Sequence, residues 1–141
     1  MTSYGIDGHV YSFDIDTPPT WRDPRIDFRF GDALKPEEAA PADWIASLPR
    51  PLMVIEDAGH HYLMTLTVLR HFGPLMQRGE YLIVEDSVTY ELGSAHEYDG
   101  GPRRALETFL AGNRDYVVDR ALCDFYGENV TWNVNGYLRR V

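Results

Sequence analysis

Short apolar runs that end in acidic residues dominate this sequence. The clearest are VIEDAGHHY, from Val54 to Tyr62, and YLIVEDS, from Tyr81 to Ser87. Runs that are apolar at successive positions, rather than at alternate ones, are typical of parallel strands covered on both faces. Helical patterns separate the runs along the chain. The sequence therefore predicts an α/β fold with a mostly parallel sheet.

The pattern divides the 141 residues into strands and helices of one domain, with no linker and no repeat. Helices are predicted from Pro36 to Leu48, shortened or kinked by Pro41, then from Tyr62 to Gly73 and from Pro102 to Gly112. Strands are predicted at His9–Asp16, Ile26–Phe30, Pro51–Asp57, Tyr81–Asp86, Asp115–Asp119 and Val130–Val141, the last one bent or interrupted at Asn135-Gly136.

Composition excludes several kinds of partner. Thirteen basic residues against twenty-two acidic ones give a net charge of −9, which argues against a nucleic-acid partner because phosphate binding relies on basic side chains. The single cysteine, Cys123, rules out an intrachain disulfide. No apolar run approaches the roughly 20 residues that cross a bilayer, and the first residues do not form an export signal. These observations predict a cytoplasmic protein without a membrane partner.

The acidic residues gather where a site is expected. In open α/β sheets, ligands bind beyond the carboxyl ends of the strands. The strand-end acids of this chain, which all belong to that edge, are Asp14, Asp32, Asp57, Glu85 and Asp86. A single acid after a strand is common in solvated loops. Five of them on one edge predict a functional site.

Five motifs in order identify a family resemblance. They are GHVYSFDID, VIEDAGHHY, GEYLIVEDS, GGPRRALETFL and NGYLRRV. Together they resemble the cephalosporin hydroxylase-like and rhamnosyl O-methyltransferase family, from about Gly8 to the last residue. The resemblance implies a Rossmann-like fold of methyltransferases that use S-adenosylmethionine, with a mostly parallel sheet and an antiparallel C-terminal strand. The pattern is also similar to that of catechol O-methyltransferase, which depends on a metal.

The resemblance implies that Asp57, Glu85 and Asp86 are metal ligands. Three carboxylates suit Mg²⁺ or another divalent metal, which can lower the pKa of a substrate hydroxyl. His60 falls near the position of a catalytic lysine in the catechol enzyme, and imidazole can act as a general base near neutral pH. His61 is the alternative base. If one of the two histidines is a ligand instead, Zn²⁺ or Fe²⁺ becomes the favoured metal.

The first two strands are implied to hold the cofactor. Asp14 matches the acid that binds the ribose hydroxyls, with Asp16 as the alternative on the same strand face. Asp32 matches a position beside the adenine. The family also has an earlier central strand and a glycine-rich turn for the methionine end of the cofactor, and MTSYGIDG does not supply them. The sheet is therefore expected to be incomplete at its N-terminal side, in a fragment or in a short relative that pairs with another copy.

The sequence leaves two functions open, and a third is less favoured. The first is a metal-dependent O-methyltransferase that acts on a small-molecule hydroxyl acceptor, a sugar or a secondary metabolite. The second is a non-catalytic remnant that binds a metal or a partner chain but not S-adenosylmethionine. The third is a metal hydrolase that uses Asp57, His60 and His61. Binding of S-adenosylhomocysteine distinguishes the first from the others.

Overall fold

A computed structural model describes residues 8–16 and 19–141 of the chain. Within these ranges, the predicted strands and helices occur in the predicted order, with one additional short helix. The strands are β1 (Val10–Asp14), β2 (Ile26–Phe30), β3 (Met53–Glu56), β4 (Tyr81–Val84), β5 (Tyr116–Val118) and β6 (Tyr137–Arg140). The α-helices are α1 (Pro36–Ala39), α2 (Ala42–Ser47), α3 (Tyr62–Phe72), α4 (Gly101–Gly112) and α5 (Arg120–Cys123). Short 3₁₀ turns occupy Gly73–Leu75, Ser87–Thr89 and Ala95–Tyr98.

The strands form two separate sheets. Strands β1 and β2 make a parallel pair, and the second sheet has the order β3-β4-β6-β5. In that sheet β3 and β4 are parallel, whereas β6 is antiparallel to both of its neighbours. The expected antiparallel C-terminal strand is thus confirmed. Among the described residues, β3 is an edge strand and β1 does not pair with it. This break agrees with the expectation that the sheet lacks a strand between these two.

The core lies between the larger sheet and the packed helices α3 and α4. Alternate residues of β4, Leu82 and Val84, face these helices and are 1% and 0% exposed. The buried core residues are Leu66, Leu69, Met76, Leu82, Val84, Ala105, Leu106, Phe109, Tyr116 and Leu138. On the opposite face of β3, Met53 and Ile55 remain 61% and 51% exposed. The expectation that both faces are covered is therefore wrong for this strand.

The C-terminal region differs from the sequence prediction. The predicted strand Val130–Val141 is reduced to Tyr137–Arg140. The residues before it form turns, in which Asn129 and Asn135 adopt left-handed backbone conformations with φ of 56° and 57°, and such conformations cannot continue a strand. A short helix, α5, was also not predicted. It begins directly after β5, because the Asp119 carboxylate accepts a hydrogen bond from the Ala121 amide at 3.1 Å.

Asp119 connects this helix to the centre of the sheet. Its Oδ2 also accepts a hydrogen bond of 2.7 Å from the hydroxyl of Tyr81 on β4. The Tyr81 hydroxyl, more than any other group, lowers the pKa of Asp119 from the ordinary value of 3.8. The ionised carboxylate is therefore the form that stabilises the native state.

We expect Asp119→Ala to lower the free energy of unfolding by about 1 kcal/mol at pH 7, the usual loss for a helix cap. Because the pKa is lowered on folding, this stabilisation is complete above pH 3.8 and is lost as the pH falls through the native pKa. Urea denaturation across pH 2 to 7 measures it. Asp115→Ala is the control, since Asp115 is 67% exposed and lies 3.7 Å from Arg140. Equal losses for both variants, or a loss that does not change with pH, would contradict the assignment.

None of the helices in the described ranges has both the length and the apolar character needed to cross a bilayer.

Candidate metal centre at the strand ends

Strands β3 and β4 place their acidic residues side by side. They pair in register, with Glu56 opposite Val84. The ladder continues one step further, because the Glu85 amide donates a 2.9 Å hydrogen bond to the Glu56 carbonyl. Asp57 and the pair Glu85-Asp86 consequently emerge at the same carboxyl edge of the sheet, as the sequence predicted.

Three side chains meet at this edge. Asp57, His60 and Asp86 each offer one ligand atom, and these atoms all lie within 4.8 Å of one another. His60 Nε2 and Asp86 Oδ2 lie 3.4 Å apart. Asp57 is exposed, whereas the side chains of His60 and Asp86 are 26% and 33% exposed. Two carboxylates and an imidazole form a donor set that fits a divalent cation, and the exposed side leaves access for substrate.

Glu85 lies close to this group without belonging to it. Burial raises the pKa of its carboxyl, and the negative charges of Asp57 and Asp86 raise it further. Several acids concentrated in a small space repel one another, and a bound cation would relieve that repulsion. The three-carboxylate ligand set therefore stays a prediction, while the geometry brings two of those acids together with His60.

The backbone holds two of the three residues in uncommon conformations. His60 and Asp86 have φ of 58° and 53°, in the left-handed region. Residues other than glycine adopt it rarely, and such strain is concentrated at functional sites. The turn after Asp86 is fixed by its carbonyl, which accepts hydrogen bonds from the amide and the hydroxyl of Thr89 at 3.0 and 2.9 Å. The side chains are thus positioned by the fold.

Tyr98 encloses the histidines from the loop that precedes α4. Its ring lies edge-on to both imidazoles, with centroid distances of 6.0 Å to His60 and 5.5 Å to His61. Gly101, the first residue of α4, has φ of 60°, and a Cβ there would lie 3.4 Å from the His60 carbonyl oxygen. His61 is exposed and is not one of the three converging residues. Sequence reasoning missed Tyr98, because only the folded loop brings it to the site.

Glu56 is a second residue that sequence reasoning missed. It is 5% exposed, at the end of β3 and next to Asp57. Burial raises the pKa of its carboxyl, and the Ala58 amide donates to Oε1 at 3.2 Å. The signal was in the sequence, since strand alternation places Glu56 on the same face as Val54 and hence toward the core.

The two predicted cofactor residues lie at the ends of the smaller sheet. Asp14 ends β1, and its Oδ1 accepts a 3.0 Å hydrogen bond from the Asp16 amide. Asp32 follows β2, and its Oδ1 accepts a 2.8 Å hydrogen bond from the Leu34 amide. A carboxylate has a second oxygen that can accept hydrogen bonds from a ligand. Their roles toward a cofactor remain predictions.

Comparison with known proteins identifies the chain. The family description Rhamnosyl O-methyltransferase/CmcI matches residues 5–141. A solved structure of CmcI with Mg and SAM is 25% identical, with a TM-score of 0.61 over 97% of this chain and 54% of the CmcI chain. The MycE methyltransferase from the mycinamycin biosynthetic pathway, solved with Mg and SAH, is 27% identical, with a TM-score of 0.54. That alignment covers 72% of this chain and 27% of MycE.

No curated protein sequence matches the chain significantly. The chain spans about half the length of CmcI and about a quarter of MycE. The fold is nevertheless that of the Rossmann-like methyltransferases, and the family match runs over almost every residue. This chain belongs to the Rhamnosyl O-methyltransferase/CmcI family.

Proposed function

We propose that this chain is the metal-binding part of an O-methyltransferase that transfers the methyl group of S-adenosylmethionine to a hydroxyl of a sugar or secondary metabolite. The observation that carries the proposal is the convergence of Asp57, His60 and Asp86 within 4.8 Å. CmcI and MycE, whose structures are similar to this chain, have been solved with Mg and with SAM or SAH. Glu85, at the same edge, would add a third carboxylate.

In this proposal Asp57, Asp86 and Glu85 would hold the metal, and His60, the third member of the converging group, acts as the general base and not as a ligand. A divalent metal held by the acids would lower the pKa of the acceptor hydroxyl and fix its orientation. His60 takes the hydroxyl proton as the acceptor oxygen forms its bond to the methyl carbon, and S-adenosylhomocysteine leaves with the electrons of the broken carbon–sulfur bond. Asp86, 3.4 Å from His60 Nε2, stabilises the imidazolium that forms. Asp14 and Asp32 would hold the ribose and the adenine of the cofactor.

In a form of the protein that turns over, we expect His60→Ala to lower the rate of methyl transfer by roughly 100-fold or more, the usual contribution of a general base. Transfer of a radiolabelled methyl group from S-adenosylmethionine to a small glycoside, with Mg²⁺ and with EDTA, measures it. The matched control is His61→Ala, because His61 also contacts Tyr98 but is outside the converging group. A large loss in His61→Ala and none in His60→Ala would show that His61, and not His60, is the base.

The break between the two sheets favours the second function, a chain that binds metal but holds the cofactor poorly. Asp14 and Asp32 reach only the ribose and adenine in this assignment, and the charged methionine end needs backbone donors from a glycine-rich turn. On the uncovered face of β3, Met53 and Ile55 are also exposed. We therefore expect the 141-residue chain alone to bind S-adenosylmethionine or its product weakly or not at all, and to be marginally stable or to self-associate through its strand edges.

Calorimetric titration with S-adenosylhomocysteine, together with sedimentation of the same sample, tests this expectation. Weak or undetectable heat from an associating protein is the expected result. Micromolar binding by a monomer would contradict it and would show that the fold completes that half of the pocket in another way.

A further inference from the structure

A segment rich in exposed aromatic residues borders the metal edge. Strands β4 and β5 are both antiparallel to β6, so they run in the same direction and end at the same edge. Residues 119–136, which connect β5 to β6, therefore lie on the side of the sheet where Asp57, His60 and Asp86 converge. We call three of these residues the aromatic rim: Phe125, Tyr126 and Trp132.

The aromatic rim is unusually exposed. Phe125, Tyr126 and Trp132 are 72%, 80% and 68% exposed. Phe125 and Tyr126 lie edge to face, with ring centroids 4.9 Å apart. Leu122 and Val130, in the same segment, are 42% and 58% exposed. Clustered exposure of large apolar side chains is uncommon and marks a binding surface.

Polar contacts hold this segment in a fixed conformation. Arg120 bonds to Asp124 through Nε, at 3.0 Å, and to Asn129 through Nη2, at 3.0 Å. The Asn129 amide in turn donates to Asp124 Oδ1 at 2.9 Å. Arg120 also donates to the side chain of Asn135. The network closes the loop at several points, so its aromatic side chains are presented on a framework that is ordered before any ligand binds.

The same segment is bonded to the turn that carries Asp86. The Trp132 carbonyl accepts a 3.1 Å hydrogen bond from the amide of Val88. The hydroxyl of Ser87, which is fully buried, donates to the Val134 carbonyl at 2.7 Å. The first of these hydrogen bonds joins Trp132 to Val88, the second residue after Asp86. The Trp132 backbone therefore lies beside the turn that leads away from the metal centre.

The chemistry of this edge favours a neutral ring. Asp57, Glu85 and Asp86 bring three negative charges to this edge, of which a bound divalent cation would offset two, in a chain whose net charge is −9. The edge would stay net negative and would disfavour an anionic acceptor. Aromatic faces bind apolar surfaces, and the C–H face of a sugar ring offers such a surface while its hydroxyls stay free for polar groups. We propose that Trp132, with the rest of the aromatic rim, binds the ring of a neutral glycoside acceptor beside Asp86. This inference rests on the proposed function.

Saturation-transfer difference NMR with methyl α-rhamnopyranoside tests the proposal on the full chain with Mg²⁺. We expect transfer to the ring protons, reduced at least fivefold in Trp132→Ala and largely kept in Trp132→Phe. Trp21→Ala is the matched control, because Trp21 is 55% exposed and packs against Phe28 of the other sheet. Replacing Mg²⁺ with Mn²⁺ should broaden the sugar signals, since the bound ring lies close to the metal.

The outcomes separate this inference from the function on which it rests. Loss of transfer in Trp132→Ala, with Mn²⁺ binding unchanged, supports the inference. No transfer to the sugar, equal transfer in all variants, or no broadening by bound Mn²⁺ would overturn it while leaving the metal centre intact. The inference would also be overturned if the chain formed a dimer, and Trp132→Ala dissociated it without changing transfer to the sugar. The rim would then be a contact between two copies of the chain. Failure of the unsubstituted chain to bind Mn²⁺ would instead remove the proposed function.

Discussion

Gly136→Ala is expected to lower the free energy of unfolding by about 3 kcal/mol, the upper range for overpacking a closed site. A Cβ at this position would lie 2.2 Å from the Val84 carbonyl oxygen and 3.2 Å from both the Cβ and the carbonyl oxygen of Asn133. The nearest of these is a backbone atom in the centre of the sheet, so a side-chain rotation cannot relieve the contact. The backbone of β4 or of the turn before β6 must move.

That movement reaches the metal centre directly. The Val84 amide donates to the Gly136 carbonyl at 2.9 Å, and Glu85 and Asp86 follow Val84 in the chain. A shift that separates these strands therefore displaces the acids as well as lowering stability. Chemical denaturation followed by circular dichroism measures the loss.

Gly112→Ala is the matched control for this substitution. Gly112 is the last residue of α4, and a Cβ there meets nothing within 4 Å. Alanine should leave the free energy of unfolding unchanged or raise it by up to about 1 kcal/mol, because it restricts the unfolded chain. If the two alanine variants were equally stable, the close packing of Gly136 against Val84 would not be a constraint on the fold.

The sequence was sufficient to predict the acidic edge because the necessary information is local. An apolar run that ends in acid defines both a buried strand and the residues at its carboxyl end. Parallel pairing of two such strands then places Asp57 and Asp86 together with no further assumption. The same argument places a histidine near Asp57 but does not choose between His60 and His61; the sequence favoured His60 only through the resemblance to the catechol enzyme.

Features that depend on loop conformation could not be predicted in this way. Tyr98 contacts His60 and His61 from a loop 37 or more residues away, and its position is set by left-handed turns at Asp99 and Gly100, with φ of 53° and 84°. The predicted strand Val130–Val141 was too long because the turn residues Asn129 and Asn135 outweigh the β propensity of their neighbours. The exposure of the aromatic rim could not be predicted for the same reason, since its residues lie beside the turns at Asn129 and Asn135.

We expect Asp57→Asn and Asp86→Asn each to weaken Mn²⁺ binding by at least about tenfold, the loss that removing even an outer partner of a metal ligand commonly causes. Each substitution removes a charged oxygen ligand from a group whose ligand atoms lie within 4.8 Å of one another. Glu85→Gln tests the third predicted ligand. If Glu85 completes the set, its variant loses affinity to the same degree.

Asp99→Asn is the control for charge. It removes one negative charge, as the other variants do, from a side chain that is 71% exposed and paired with Arg104 at 2.7 Å. Asp99 also lies on the loop that leads to Gly101, and asparagine tolerates its left-handed backbone. Its Mn²⁺ affinity should equal that of the unsubstituted chain.

The measurement that tests the metal centre most directly is the enhancement of water proton relaxation during titration of the protein with Mn²⁺. The unsubstituted chain and Asp99→Asn should show the same saturable enhancement, from one site, and Asp57→Asn and Asp86→Asn should lose it over the same concentration range. A chain that shows no enhancement, or an enhancement that survives unchanged in both Asp57→Asn and Asp86→Asn, would contradict the assignment of the metal to this edge of the sheet.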